Sequence, residues 1–426
     1  FLNLATFNFM CPYEGFSKGG TMMPFGTALP DGTSTSTFTN PLWEQTYYVL
    51  EDENGDVILN DDGYFDVLTS APTDGSAYHE LSVNDLVGLN LNTDQGKAIL
   101  DRLAEMTSIS EAIEIQGNSG WNVSAIPSVG KEAQVAADGP GEAGNGGTAG
   151  NTWFPCAVMI AATWNDELAY REGVAYGHQA ILAGLGVSYA PAMNIHRSPF
   201  GGRNFEYYSE DGFISGHIGG NAVAGIQSTG TSVAIKHMAL NDGDTNRGGN
   251  TTWANEQAIR EIYLLPYEIS VKDYGANGIM GSLNRIGLSW FHYGMYYTIL
   301  RAEWGFQGLL ITDGDGSDGD TYNNAQAMLS IGGAILNRGV YINAASTMAA
   351  YGDATSTAFG QTMLQLVIRS ALYQYLSNGE IGVTTSGGGS INAGLVIGII
   401  AAVVVVAVVI VIVAVVVNKK KKAKQA

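Results

Sequence analysis

Polar and charged side chains stand at or just beyond the ends of a series of short apolar runs, and these are the residues whose types could do chemistry. A carboxylate held at the end of a buried strand among cations stays ionised, which suits a nucleophile or an electrostatic stabiliser. Cations, an imidazole and further carboxylates around one opening also offer the donors and acceptors that a sugar ring needs. The residues in this position are Asp138, Arg203, Lys236, His237, Asn284, Arg285 and Asp313.

Spacing alone leaves simpler explanations open for the same residues. An aspartate such as Asp313 is more often a cap for the turn that follows a strand. Lys236–His237 could be a solvated lysine beside a core histidine. Arg203 could be a structural arginine that pairs with Glu206 or Asp211.

The elements that would have to position these residues alternate between two hydrophobic periods. Ile99, Leu103 and Met106 keep helical spacing, and helical patterns recur along 258–269 and 363–376. Strands that alternate with helices predict a mainly parallel α/β architecture. A (β/α)8 TIM-like barrel is favoured over an open sheet, because polar residues follow nearly every strand and a barrel gathers all strand ends at one mouth. The predicted strands are 133–137, 157–162, 187–190, 233–235, 279–282 and 309–312.

Charge and cysteine content exclude several classes of protein. The net charge is −20, and five of the lysines are concentrated after Asn418, so we expect no nucleic-acid partner. Two cysteines, Cys11 and Cys156, are too few for a disulfide framework or a four-ligand zinc site. The acidic run 313–320 lacks the central glycine and the closing glutamate of a calcium-binding loop. No metal or other cofactor is expected.

Residues 393–417 contain only Ala, Gly, Leu, Val and Ile, 25 positions in succession. A helix of this length reaches roughly 37 Å, enough to cross a hydrocarbon core of about 30 Å. Lysines 419–422 and 424 follow directly, and positive charge beside a span stays cytoplasmic. We therefore expect a single transmembrane helix in the cell membrane, a lipid-bilayer partner, a cytoplasmic tail at 418–426 and an extracellular folded part.

The remaining boundaries follow from composition. Residues 1–80 carry turn signals between short aromatic and apolar runs, which predicts an irregular or β-rich segment. The predicted barrel occupies 81–378, and the Gly/Ser/Thr-rich stretch 379–392 has the composition of a flexible linker. The first residue is Phe1, without a signal-peptide pattern, which suggests a processed chain or a fragment.

Four sequence blocks carry a more specific signal. Residues 190–211 read APAMNIHRSPFGGRNFEYYSED, and KHMALND with TNR follows at 236–247. The next blocks are REIYL with a proline at 260–266, and EWGF leading to Thr-Asp at 303–313. In this order and spacing, the blocks resemble the family 3 glycoside hydrolases, the β-glucosidase-like group. The resemblance extends roughly from 84 to 376.

The resemblance implies a (β/α)8-type barrel and exo-acting cleavage of terminal β-linked sugars from oligosaccharides, with retention of configuration. By position, Asp313 matches the family's nucleophile. Asp138, Arg203, Lys236 and His237 match the residues that hold the sugar at the non-reducing end, and we predict that Arg285 also binds substrate.

The sequence departs from the family pattern in three respects. Leu283 stands where an aromatic residue is usual, and Gly314 stands where a tryptophan is frequent. The family's general acid/base is a glutamate from a separate α/β sandwich domain, which we expect upstream, as in members with reversed domain order. Two alternatives stay open: a catalytically incomplete, membrane-anchored carbohydrate-binding barrel, and a membrane-anchored structural protein.

Overall fold

The computed structural model describes residues 35–119, 121–144, 152–245, 251–286, 294–313, 329, 334–335 and 355–377. All of them belong to the unit Phe1–Thr384. The strands are β1 Tyr48–Leu50, β2 Tyr78–Glu80, β3 Asn122–Val123, β4 Gln134–Asp138, β5 Val187–Tyr189, β6 Ser232–Val233, β7 Ile235–Met238, β8 Thr251–Thr252, β9 Gly278–Gly281, β10 Arg285–Ile286, β11 Leu309–Ile311 and β12 Ala334–Ile335. The α-helices are α1 Asp94–Glu105, α2 Ile109–Asn118, α3 Ala157–Ala162, α4 Asp166–Leu182, α5 Gly212–Gln227, α6 Glu256–Ala258, α7 Leu265–Lys272 and α8 Ala358–Leu376.

Short 3-10 and π segments complete the described elements. The 3-10 segments are Thr35–Thr37, Val83–Leu86, Pro127–Val129 and Asn204–Glu206, and the π segments are Ile259–Tyr263 and Gly294–Glu303.

The parallel strands lie side by side in the order in which they occur along the chain. Strand β5 pairs with β4 and β6, β9 pairs with β7 and β11, and β11 pairs with β12. Only Ala234 separates β6 from β7, so continuous chain links the two sheets. Helices α4, α5 and α7 lie between successive strands, which is the βαβ arrangement that parallel neighbours require. The predicted α/β class is confirmed.

The core consists of the buried strands and the apolar faces of the helices around them. Every residue of β5, β7, β9 and β11 is buried, including the polar residues Ser188, Lys236 and His237, as in strands that are covered on both faces. The described part of the N-terminal segment contributes to the same core through Tyr47, Val49 and Phe65. Trp43 Nε1 also donates a hydrogen bond of 3.3 Å to Gln361 Oε1 on α8.

Helices α4 and α5 begin at sequence-encoded caps and pack closely because of glycines. Asn165 and Asp211 accept hydrogen bonds from backbone N–H groups in the first turns of α4 and α5, which satisfies donors that a helix leaves unpaired. A Cβ atom on Gly173 would lie 2.3 Å from the Ala222 carbonyl oxygen, and one on Gly225 would lie 2.2 Å from the Tyr170 carbonyl oxygen. The two helices can therefore approach only with glycine at these positions.

One predicted strand is wrong. Residues 157–162 form helix α3, in which Ile160 and Ala161 are buried while Met159 is 59% exposed. A short apolar run does not distinguish a strand from a helix, and three of its six residues are alanines, the strongest helix formers.

The predicted membrane span 393–417, the linker and the basic tail lie outside the described residues. Within the described part of the chain, no helix has the length and apolarity that crossing a bilayer demands.

Candidate active site

Four of the predicted site residues lie in or just after strands whose carboxyl ends face the same edge of the parallel array. Asp138 is the last residue of β4, Lys236 and His237 lie within β7, and Asp313 follows β11 by two residues. Side chains at the carboxyl ends of parallel strands are brought together by the topology itself.

Lys236 and His237 both reach the site although they are neighbours in one strand. In a regular strand, successive side chains point to opposite faces. The pairing register between β7 and β9, however, shifts between Ile235 and Met238. Such an irregularity re-aims a side chain, which explains how two adjacent residues can serve one site.

Asn194 supplies the hydrogen bonds that hold the His237 backbone. Its Oδ1 accepts a hydrogen bond of 2.8 Å from the His237 N–H, and its Nδ2 donates one of 2.9 Å to the His237 carbonyl oxygen. Asn194 is 2% exposed. A buried side-chain amide thus provides the pairing that the irregular strand does not, and it fixes the position of His237.

Lys236 and Asp138 form the first ion pair of the site. Lys236 Nζ donates to Asp138 Oδ1, and the lysine side chain is 3% exposed whereas that of Asp138 is 33% exposed. A buried ammonium needs such a partner, because removing one half of a buried pair leaves an uncompensated charge. The pair joins the ends of β4 and β7.

His237 connects Arg203 to Asp313. The imidazole Nε2 lies 3.2 Å from Arg203 Nη2 and 3.6 Å from Asp313 Oδ2. A guanidinium N–H can only donate, so the contact with Arg203 requires Nε2 to be the unprotonated ring nitrogen. The side chains of His237 and Asp313 are 2% and 16% exposed, so the group is largely shielded from water.

Arg203 forms the structural pair with Glu206 that the sequence offered as one alternative, and it also contacts His237; its role in sugar binding stays a prediction. Its Nε donates to Glu206 Oε1 within the Asn204–Glu206 turn, while its Nη2 contacts His237. Burial by itself would lower the pKa of Arg203, but Tyr207, Glu206 and Asp313 outweigh burial and raise it. The guanidinium therefore remains a permanent positive charge beside the Asp313 carboxylate.

A cavity of about 230 Å³ opens beside this group. Two exposed aromatic residues flank it, Trp153 at 67% and Phe205 at 56% exposure. Its polar lining includes both ion pairs and a glutamate, Glu142, that the sequence analysis did not single out. The lining residues are Asp138, Gly139, Pro140, Gly141, Glu142, Trp153, Arg203, Phe205, Glu206 and Lys236.

Arg285 is a predicted site residue that lies in a different sheet from the other predicted site residues that belong to strands. Arg285 starts β10, which pairs with β8 in a sheet separate from the two that carry Asp138, Lys236 and His237. Its role in substrate binding stays a prediction. Leu283 is 6% exposed, and Gly314 lies outside the described residues.

Asn194 and Glu142 were missed by sequence reasoning. Asn194 lies inside a block that carried the family resemblance, so that block was a signal for it. Glu142 follows Asp138 by four residues in a glycine-rich loop, and acids in loops are ordinarily solvated, so its burial had no sequence signal.

Comparisons with known proteins agree on one family. Residues 122–329 match the family model described as Glycosyl hydrolase family 3 N terminal domain. Beta-glucosidase A of Butyrivibrio fibrisolvens is 42% identical over 192 residues, which cover 44% of this chain and 23% of that protein. A beta-glucosidase of Rhizobium radiobacter is 34% identical over 281 residues, which cover 64% of this chain and 34% of that protein. These matches support glycosyl hydrolase family 3.

The fold of this chain is also similar to that of a solved beta-glucosidase structure. Beta-glucosidase 3B from Thermotoga neapolitana, in complex with alpha-D-glucose, superposes with a TM-score of 0.59 at 28% identity. The superposition covers 67% of this chain and 44% of that protein. The chain thus spans 23% and 34% of the two sequence relatives and less than half of this structural neighbour.

Proposed function

We propose that the protein is a retaining, exo-acting β-glycosidase, similar to β-glucosidases, that releases terminal non-reducing sugars from oligosaccharides. Asp313 attacks the anomeric carbon and forms a covalent glycosyl-enzyme, while the leaving oxygen takes a proton from a second carboxyl group. Water then attacks the same carbon, the bond to Asp313 breaks, and the sugar leaves with its configuration retained.

The observation that carries this proposal is the distance of 3.6 Å between His237 Nε2 and Asp313 Oδ2. It puts the carboxylate at the edge of the sheet where Lys236, Asp138 and Arg203 also meet, beside a cavity. Arg203 is a positive charge that interacts favourably with this carboxylate, which suits a nucleophile. The β-glucosidases among the relatives support the same chemistry.

The remaining parts of the proposal extend beyond the described residues. We propose that the chain-ordered parallel strands close into a (β/α)8-type barrel, and that an α/β sandwich domain supplies the acid/base glutamate. Residues 393–417 are proposed to anchor the protein in the cell membrane, with the glycosidase domain outside and residues 418–426 in the cytoplasm. The apolar run and the lysines after it support the anchor.

The test is covalent trapping with an activated aryl β-glucoside of a fluorinated sugar. A good leaving group needs no acid for the first step, so the reagent reports on Asp313 whether or not the acid/base is present. We expect the wild-type chain to gain the mass of one sugar, on the peptide that contains Asp313. Asp313→Asn should gain nothing.

Asp273→Asn is the matched control, since it makes the same change at an exposed position after α7. It should label like the wild type. An unlabelled wild-type chain, or a label on a residue other than Asp313, would contradict the proposal. Turnover of the corresponding unfluorinated aryl β-glucoside would report a complete acid/base, whereas labelling by the fluorinated reagent without such turnover would mean that this chain lacks a working acid/base.

The alternative of a carbohydrate-binding barrel without catalysis is less well supported, because both sequence relatives are β-glucosidases. It predicts glycoside binding without any label on Asp313.

A further inference from the structure

The carboxyl groups that line the cavity differ in whether they have ion-pair or hydrogen-bond partners. Asp138 pairs with Lys236, and Glu206 pairs with Arg203. Glu142 is 2% exposed, yet among the described residues its Oε1 has no hydrogen-bond partner. The cavity is therefore lined by two ion pairs and by one further acid, Glu142, whose Oε1 accepts no hydrogen bond from the described residues.

The loop that carries Glu142 is held at several points. Gly141 accepts a hydrogen bond of 2.8 Å from the Phe154 N–H, and the Ala143 N–H donates one of 2.9 Å to Gln179 Oε1. The Gly144 N–H returns to the Asp138 carbonyl oxygen at 3.1 Å, which the positive φ of Gly144 permits. Backbone anchors thus lie on both sides of Glu142 and fix the segment that carries its side chain.

The neighbouring hydroxyl group does not satisfy this carboxyl group. Tyr176 is close enough that Asp138 and Glu142 add to the rise in its pKa, which burial mainly causes. Its hydroxyl nevertheless donates to the Gly139 carbonyl oxygen at 2.6 Å. The hydrogen bond fixes the loop and leaves Glu142 without that donor.

A buried polar group without a partner is unfavourable, and in native proteins such groups call for an explanation. In a cavity, a ligand that brings its own donors removes the penalty at the moment of binding. Carboxylates accept and do not donate when ionised, so the matching ligand group is a hydroxyl or an amine. The exposed rings of Trp153 and Phe205 offer apolar walls to the rest of such a ligand.

We propose that Glu142 is a specificity-determining residue of this cavity, where its carboxyl group accepts hydrogen bonds from hydroxyl groups of a neutral sugar ring. The inference rests on the proposed function and names a contact that selects the substrate. A ring that lacks the matching hydroxyl group would leave the carboxyl group buried and unpaired, and the cavity would reject it.

The test is a double-mutant cycle that combines a substitution in the protein with the removal of one hydroxyl group from the ligand. Binding is measured by calorimetric titration of the full chain. The ligands are the methyl β-glycosides of glucose, galactose and xylose, and a set of methyl β-glucosides that each lack one hydroxyl group. We expect Glu142→Gln to weaken binding of the full glucoside by roughly 10- to 100-fold, as for hydrogen bonds to charged groups. At one hydroxyl position, removal should weaken binding to the wild type but have little further effect on the variant.

Glu167→Gln is the matched control, because it makes the same change at an exposed site on α4. It should bind every ligand like the wild type. If Glu142→Gln does not fold, Glu142→Asp retracts the carboxyl group by one methylene and should show the same coupling.

The outcomes separate the inference from the function on which it rests. Wild-type binding that Glu142→Gln leaves unchanged, or a coupling of zero at every hydroxyl group, would overturn the role of Glu142 alone. A wild-type chain that binds none of the glycosides and shows no label on Asp313 would overturn the proposed function and the inference together.

Discussion

Two histidines in this protein each lie between charged side chains, in very different surroundings. On the hairpin formed by β1 and β2, His79 lies 2.8 Å from Glu51 Oε1 through Nδ1 and 2.8 Å from Asp85 Oδ1 through Nε2. Its side chain is 32% exposed. At the end of β7, His237 lies between Arg203 and Asp313 with 2% exposure.

The difference shows how burial and the sign of the partners set the role of one residue type. Desolvation lowers the pKa of His79, but Asp85 and Glu51 outweigh it, so the net pKa is raised and the protonated ring is favoured. That arrangement ties surface segments together. His237 instead lies 3.2 Å from Arg203 Nη2 and 3.6 Å from Asp313 Oδ2 in a buried, fixed position. The same residue type is a surface ion-pair partner in one place and a buried neighbour of Asp313 in the candidate site in the other.

His237→Gln should have the largest effect. Gln keeps polarity but cannot reproduce the ring that separates Arg203 from Asp313, so we expect the trapping rate at Asp313 to fall roughly 10²-fold or more. The measurement is the rate constant of covalent labelling by mass spectrometry. An unchanged rate would remove His237 from the reactive group. His79→Gln, the same substitution on the hairpin, should leave this rate unaltered.

Asn194→Ala tests whether the position of His237 depends on its backbone clamp. The change leaves a buried N–H and a buried carbonyl of His237 without partners, and we expect roughly 2–4 kcal/mol of lost unfolding free energy. Labelling should slow as well, because His237 is no longer held. Urea unfolding and the trapping rate measure the two effects.

The control for Asn194→Ala is Asn221→Ala on α5, where the amide donates to His217 and Tyr274. Its trapping rate should match that of the wild type. Equal loss of trapping in both variants would mean that Asn194 acts only through general stability.

Asp242 extends the comparison of the two histidines. Like His237 it is a titratable group that is removed from water, but it does not share the charged neighbours of His237. Burial raises the pKa of Asp242 to about 6, with Arg197 opposing the rise, and neither carboxyl oxygen has a hydrogen-bond partner among the described residues. The native state therefore keeps a proton that the unfolded chain releases near pH 4, and stability falls as pH rises through this window.

Asp242→Asn should remove that penalty, worth roughly 2–3 kcal/mol above about pH 6. Thermal unfolding of variant and wild type should differ at about pH 7.5 and converge near pH 4. A difference that is the same at both pH values would show that ionisation of Asp242 is not the cause.

His79→Gln should have the smallest effect, confined to stability. Because the folded pKa of His79 is raised, its contribution is fully present below the unfolded value of about 6.5 and is lost as pH rises through the folded value. The melting temperature of the variant should lie below that of the wild type at about pH 5 and match it at about pH 9. Added salt should shrink the difference at about pH 5, since these groups are partly exposed.

The sequence by itself determined the α/β class and most of the strands that carry the site. The runs around 134–138, 187–189, 278–281 and 309–311 were predictable because short, mainly apolar runs that alternate with helical patterns are typical of strands in a parallel sheet. Asp138, Lys236, His237 and Asp313 could be assigned to one side of the parallel array because the carboxyl ends of parallel strands face the same way.

Only the tertiary structure decided how those side chains are combined. The register shift that lets Lys236 and His237 serve one site depends on pairing between β7 and β9, whose first residues, Ile235 and Gly278, are 43 positions apart along the chain. The clamp by Asn194, the shared use of Arg203 and the buried Glu142 likewise depend on contacts between segments distant in sequence. Local sequence patterns indicate which residues are buried on folding, but they do not indicate which distant residues the buried side chains contact.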